Sequence, residues 1–375
     1  MDYEKKYDEY LKKSQTNYDL PGLTAGIFVD EKSELDSTGL SYAKSYGFTD
    51  IQDEIQMRPE HFSHMASISK TFTSCAAMKL WEEGKINFDD KVVDFLPWID
   101  SEDKRFKDIT FKHLITHTSG LPTVVNFGWS DPDIDSEALR RYTLSDDVRE
   151  AEFLNTPGDN VFSYSDMGFE LLGNIIQEIS GMAFEEFIAD RLFKPSGMDD
   201  STMLVFKRSD TGSKLDPDLA TPEEISKALS TDELLEGGLV MPHVKDGQKN
   251  TIRQAYYPYN RRHAPSSTFN SNVYDLKKWG DVHIKRSVLQ PKTYEELWKT
   301  QTIVQNNGEG MGMGWFIRVQ NGYTLYGHEG MDDGFRSSFW ICPELKAQIS
   351  VLSNIGRAPV KKISKKLFDI LTIEG

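Results

Sequence analysis

Cysteine is nearly absent from this 375-residue chain: Cys75 and Cys342 are the only two. Two distant thiols make no disulfide framework, so a small cross-linked scaffold is excluded. Cys75 lies in the apolar stretch CAAMKLW and reads as a core residue rather than a nucleophile. Long hydrophobic runs are absent as well. No stretch of 18 apolar residues occurs, so no membrane span is expected. The first residues, MDYEKKYDEYLKK, are charged and amphipathic and lack the apolar segment and cleavage site of an export signal. A cytoplasmic location is the expectation. Positive charge is scarce: 43 Lys and Arg face 59 Asp and Glu, a net charge of −16. Nucleic acid needs a basic face, so it is not an expected partner.

Several motifs are missing too. There is no Gly-x-Ser-x-Gly elbow. His113 and His117 stand four apart, but no His-Glu-x-x-His accompanies them, so no metal site is expected. The run GEGMGMGW (308–315) does not match the dinucleotide fingerprint and leads into a strand, not a helix. No cofactor is therefore expected. The partner that remains is a small-molecule or peptide substrate, with oligomeric state left open.

What is present suits a globular fold. The chain is long enough for one large domain or two intimately joined ones. Its 21 Phe, 15 Tyr and 7 Trp argue against disorder. Apolar spacing predicts a helix over 2–17, strands over 23–30 and 41–47, and a long helix over 68–83 that stops at Gly84. Helices are expected over 111–117, 136–154, 167–180 and 183–193. Residues 203–262 read as a variable excursion with little regular structure, covering the site. Strand patterns return at 313–320, 323–328, 335–342 and 347–353, and 359–372 closes as a helix. The expected fold class is α+β: one antiparallel sheet built from both termini and flanked by helices, with a large, mostly helical region inserted. Residues 1–66 and 264–375 form the sheet region and 67–263 the insertion, together one catalytic unit.

Ser-x-x-Lys occurs three times, at Ser41–Lys44, Ser67–Lys70 and Ser101–Lys104. Chance supplies about one or two in a chain this long. Ser41 and Lys44 lie in a probable strand, where positions three apart face opposite ways. Ser101 and Lys104 lie in a charged loop. Ser67 opens the 68–83 helix, where positions three apart share a face, so Lys70 reaches it. Burial lowers a lysine pKa, and such an amine activates a serine for attack on a carbonyl. The alternative is that Ser67 is only a helix N-cap.

Two further segments offer partners. Tyr164-Ser165-Asp166 follows the Pro157-Gly158 turn and precedes a helix. A phenol beside an ammonium has a depressed pKa and can carry protons. The alternative is a packed aromatic, with Asp166 capping the helix. His328-Glu329-Gly330 ends a probable strand. There the glycine admits a close backbone, and the histidine either binds a substrate carbonyl or carboxylate or is a surface turn residue.

Taken in order, these segments resemble the serine β-lactamase-like superfamily, which includes penicillin-binding proteins, class C β-lactamases, D-aminopeptidases and related esterases. The likeness runs through FSHMASISKTFTS (62–74), ITFKHLITHTSGLP (109–122), PGDNVFSYSDMGFELLG (157–173), APSSTFNSNVYDLKKWG (264–280) and GHEGMDDGFRSSF (327–339), and covers about residues 20–356. It implies a β-lactamase/transpeptidase-like fold. It also implies Ser67 as acylated nucleophile, Lys70 as base and Tyr164 as second proton carrier. His328-Glu329-Gly330 matches the Lys-Thr-Gly or His-x-Gly element, with the N–H groups of Ser67 and Met331 as oxyanion hole. Asp166 stands where the resemblance implies Asn, and His328 where many relatives carry Lys. The expected activity is an esterase or D-stereospecific amidase or peptidase. A β-lactamase or D,D-peptidase is one alternative, and a member that binds without efficient turnover is another.

Overall fold

The computed structural model describes residues 3–31, 33, 39–205, 238–305 and 307–373. Nine strands form one antiparallel sheet. In chain order they are β1 (Gly22–Val29), β2 (Leu40–Asp50), β3 (Ile55–Gln56), β4 (Thr302–Ile303), β5 (Gly310–Met311), β6 (Phe316–Gln320), β7 (Tyr323–Asp332), β8 (Phe335–Cys342) and β9 (Ala347–Ser353). Their order across the sheet is β3-β2-β1-β9-β8-β7-β6-β5-β4. N-terminal β1 pairs directly with C-terminal β9, from Leu23 opposite Ser353 to Val29 opposite Ala347. The fold is thus α+β, with a sheet joining the two ends of the chain. Both edges are two-residue strands, which leaves little template for pairing with another chain.

Helices cover both faces, so β9 is buried along its whole length. Its side chains divide by period two. Ile349 and Val351 join Tyr7 and Leu11 of helix α1 (Tyr3–Asn17) and Ile363 and Leu367 of a C-terminal helix. Leu352 points the other way, into the core around Phe72 and Trp279. On that second face lie helices α2 (Ser69–Glu82), α3 (Asp166–Ser180) and α4 (Val273–Ile284); the C-terminal helix is α5 (Val360–Thr372). No helix among the described residues is long and apolar enough to cross a membrane.

Some expected elements differ. The helix expected over 136–154 is two short pieces, Ala138–Thr143 and Asp146–Arg149. Between them the Thr143 and Ser145 hydroxyls donate to the carbonyls of Arg140 and Tyr142, offering the backbone an alternative to a continuing helix. The strand expected from 313 starts at Phe316, because Gly314 (φ +70°) turns the chain. The strand expected to end at 328 runs on to Asp332 and pairs with β8 as far as Phe335. Within 203–262, His243–Lys245 pairs with Thr251–Arg253 as a small hairpin. Residues 206–237 of that stretch lie outside the described residues.

Candidate active site

The three Ser-x-x-Lys segments have different fates. Lys44 on β2 turns to Asp8 at 2.9 Å. Lys104 begins a short 3₁₀ turn, Lys104–Asp108. Lys70 alone of the three donates to its serine: its Nζ lies 3.1 Å from Ser67 Oγ. Ser67 is not the N-cap of α2. That position is Ile68, which caps with no side chain, and the chain enters the helix through tight turns such as Lys70 N–H to the Ser67 carbonyl at 3.1 Å. Ala66, just before, holds φ at +49°, a left-handed conformation a non-glycine residue rarely takes. The Ser67 hydroxyl is thereby freed from backbone duty.

Lys70 is fully buried at the foot of α2, and three oxygens receive its ammonium. Besides Ser67 Oγ, these are Asp166 Oδ1 at 2.5 Å and the Ser266 carbonyl at 3.0 Å. Burial alone would lower its pKa, while an Asp beside it favours the protonated form. Burial pulls it down, but the charge of Asp166 outweighs that, helped by Tyr164, and the group ends above an ordinary lysine. Asp166 is not the helix cap either. Ser165 caps α3 by accepting from the Gly168 N–H at 2.9 Å, which leaves the Asp166 carboxylate to Lys70 and to the Thr123 hydroxyl.

The ring of Tyr164 lies under the Lys70 ammonium, 4.9 Å from Nζ. Its phenol is pushed up to about 12, because burial outweighs the pull of Lys70 and the hydrogen bonds from Lys70 and Ser67. This reverses the expected depression. His117 holds the tyrosine in place. Its ring stacks on Tyr164 at 4.5 Å, its Nδ1 accepts from the Ser165 N–H, and its carbonyl accepts from the Ser163 N–H. His113 instead accepts the Thr110 N–H in a capping box. These are the duties of the two histidines considered for a metal.

Strand β7 supplies the opposite wall. His328 and Gly330 share one face by period two. A Cβ on Gly330 would sit 2.3 Å from the Met65 carbonyl and 2.1 Å from Ser337 Oγ, so only glycine lets β7 approach the nucleophile segment this closely. His328 Nδ1 lies 2.6 Å from the Glu329 carbonyl, which fixes the proton on Nδ1 and leaves Nε2 as a lone-pair acceptor with no partner among the described residues. Burial, then the Lys70 charge, pushes His328 down to about 3, so the ring is neutral. A neutral acceptor does not attract a carboxylate; it suits an N–H or O–H. Met331 is 57 % exposed at the cleft mouth.

Ser67, Tyr164, Asp166, His328, Gly330 and Met331 all line one cleft of about 540 Å³. Val124, Phe127, Phe162 and Phe316 make its apolar wall. Lys70 sits behind it. All seven residues singled out in the sequence therefore converge.

Other contributors were not singled out. Behind Lys70, Ser266 Oγ donates to Glu170 Oε1 at 2.5 Å, and His263 Nδ1 lies 3.0 Å from the same oxygen. Burial raises Glu170 well above an ordinary carboxyl. Thr123, Ser266 and Glu170 come from three separate segments, and no short spacing announces them. His117 and Asp332 did carry a signal: the first stands in HTSGLP, the second at i+4 from His328 on the same strand.

Comparison with known proteins covers nearly the whole chain. The family model described as Beta-lactamase matches residues 7–371. Protein flp of Staphylococcus aureus (strain MW2) is 27 % identical over 331 residues, 86 % of this chain and 59 % of that protein. The chain thus spans about three fifths of the length of the curated relatives it matches. Penicillin-binding protein 4* of Bacillus subtilis (strain 168) is 31 % identical over 163 residues, 43 % of this chain and 34 % of that protein. Among solved structures, the octameric penicillin-binding protein homologue from Pyrococcus abyssi superposes with a TM-score of 0.77 at 25 % identity, covering 99 % of this chain and 77 % of that one. The D-amino acid amidase from Ochrobactrum anthropi SV3 superposes at 0.75 with 17 % identity, covering 100 % and 99 %; at that identity the likeness is one of fold.

Proposed function

The chain belongs to the beta-lactamase family, and from that membership we propose that it is a serine hydrolase acting through an acyl-enzyme on ester or amide substrates. The observation that carries the proposal is the 3.1 Å hydrogen bond from Lys70 Nζ to Ser67 Oγ at the wall of a substrate-sized cleft. In this reading the two regions, 1–66 with 264–375 and 67–263, act as one catalytic unit, each supplying one wall.

The steps follow from the proton inventory. Lys70 rests as an ammonium and takes a proton only after giving one up. Asp166, 2.5 Å away, is the acceptor within reach. As Ser67 Oγ bonds to the substrate carbonyl carbon, its proton passes to Lys70 while a Lys70 proton moves onto Asp166. The carbonyl π pair becomes an oxyanion, held by the N–H groups of Ser67 and Met331. The tight turn between Asp332 and Phe335 supports the second donor. It makes those two the hydrogen-bonded closing pair, and by alternation the Met331 N–H points away from β8. Each oxyanion donor is worth about 2.7–4 kcal/mol in the transition state. The tetrahedral centre then collapses and the bond to the leaving group breaks. Tyr164, a phenol at neutral pH, protonates that group and is reprotonated from Lys70, which takes its proton back from Asp166 and so restores the ammonium–carboxylate pair. Water repeats the sequence on the acyl-enzyme.

Ester and amide cleavage, including peptides of D-residues, ranks above β-lactam hydrolysis here, because neutral His328 offers no charge to a β-lactam carboxylate. A second reading, a binding protein with little turnover, draws on one observation: Asp166 holds Lys70 in its charged form. Intact mass after exposure to a fluorophosphonate and to a penicillin separates the two. A stable adduct on wild type that is absent from Ser67→Ala supports the hydrolase. Unmodified wild type across several acylating probes supports the binder.

A further inference from the structure

Period two on β7 places Asp332 on the cleft face with His328 and Gly330. Its side chain is only 4 % exposed, yet it lines the cleft beside Ser67. One oxygen is fully engaged. Oδ2 accepts from His64 Nε2 at 2.7 Å and from the Ser267 hydroxyl. Both holders are continuous with the machinery: His64 lies three residues before Ser67, and Ser267 follows Ser266, whose carbonyl receives Lys70. The carboxylate is therefore fixed relative to the nucleophile. Its other oxygen, Oδ1, accepts nothing from the described residues.

Serine, histidine and aspartate meet here, but this trio is no nucleophilic triad. The carboxylate stands in the middle, so the Ser267 proton points at Asp332 and not at a histidine base. It is a clamp on a carboxylate.

The charge balance of the cleft makes the clamp informative. Asp166 has Lys70 at 2.5 Å, and Glu309 has Lys361 at 2.8 Å. Glu329 turns away to Ser338 and Trp340. Asp332 has no lysine or arginine within ion-pair distance among the described residues; its one such contact is His64. His64 Nδ1 is buried with no hydrogen-bond partner among the described residues. Arg336 feels the Asp332 charge, but its Nε is engaged by the Gly356 carbonyl. A buried, oriented carboxylate with a free oxygen and no lysine or arginine partner among the described residues suits a ligand that supplies the charge.

We propose that Asp332, clamped by His64 and Ser267 beside Ser67, is a specificity-determining residue that receives a primary ammonium group of the substrate on Oδ1. The inference rests on the hydrolase reading for the word substrate, and names that substrate's class: an amino-bearing amide or ester. His328 Nε2, a neutral acceptor on the same face, favours the same donor-rich ligand.

The test compares probes that differ only in the ammonium. Alanine p-nitroanilide, in both enantiomers, is set against propionic acid p-nitroanilide. Wild type should prefer an amino probe by at least about tenfold in kcat/KM, the worth of one charged hydrogen bond. Asp332→Asn keeps the shape and should erase that preference, the amino probe losing at least about tenfold more than the neutral one. Ser267→Ala, which loosens the clamp but keeps the charge, should lose part of the preference. Binding of alaninamide and propionamide to Ser67→Ala, followed by NMR, reads the same discrimination without turnover. Asp332-dependent ammonium binding with no wild-type hydrolysis would overturn the hydrolase and leave this inference standing. Equal handling of the paired probes, or a preference that survives Asp332→Asn, overturns the inference.

Discussion

At the scale of the residue, the departure from Asn to Asp at position 166 sets the electrostatics of the site. Burial is the largest single influence on Lys70 and pulls it down, and Asp166 with Tyr164 together reverse that direction. A route through a deprotonated Lys70, in place of the relay to Asp166, should therefore open only toward alkaline pH in wild type. Asp166→Asn removes the raising charge and leaves the burial, so the rising limb should move toward acid by about 1–3 pH units. A pH–rate profile with an activated ester reads this directly, and an unmoved limb would mean the pair does not control the base. Glu170 gives a second test. In the unfolded chain it titrates near about 4.3; in the fold, burial raises it well above that. Below the unfolded pKa both states hold the proton. As pH rises the unfolded chain releases it and the fold does not, so this group's favourable contribution is lost with rising pH. Glu170→Gln is neutral throughout. Its melting temperature relative to wild type should gain as pH rises above the ordinary carboxyl range, and a pH-independent difference would refute the assignment.

At the scale of the element, helix α3 is both cap and spacer for the site. Ser165 starts it, Asp166 leaves its first turn toward Lys70, and Gly173 lies where Pro265 packs. A Cβ at Gly173 would meet the Pro265 ring at 2.1 Å. Gly173→Ala should therefore push the 265–267 segment away, at a cost of about 1–3 kcal/mol. The same shift carries off the Ser266 carbonyl, a Lys70 partner, so activity should fall further than the melting temperature implies. Assays well below the melting point separate the two effects, and full activity in a folded variant would show that the segment moves freely. The element boundaries read from sequence failed where local hydrogen bonds competed. The α2 and α3 helices were legible because their apolar spacing is sustained, whereas 136–154 was not, since Thr143 and Ser145 side chains interrupt it.

At the scale of the molecule, the sheet separates stability from chemistry. Its rear face packs under α1 and α5, and its front face supports α2, α4 and the cleft. Leu367 of α5 is fully buried on the rear side. Leu367→Ala should cost about 2–5 kcal/mol by opening a cavity, while kcat measured on folded protein at low temperature stays near wild type. Denaturant melts and steady-state kinetics check both halves. A proportionate loss of kcat would mean the rear packing transmits to the site.

The sequence by itself determined the joined-ends sheet, and its family resemblance singled out Ser67 and the six residues that the fold brings around it. Helix and strand periodicity are local, and the order of elements constrains how they can pair. Only the tertiary structure decided the sign of the Lys70 and Tyr164 shifts and the tautomer of His328. It also decided the clamp that leaves one oxygen of Asp332 free. Each of these depends on charges and lone pairs brought together from segments up to 268 positions apart, as His64 and Asp332 are. In a buried site such distances, not residue types, fix which proton sits where.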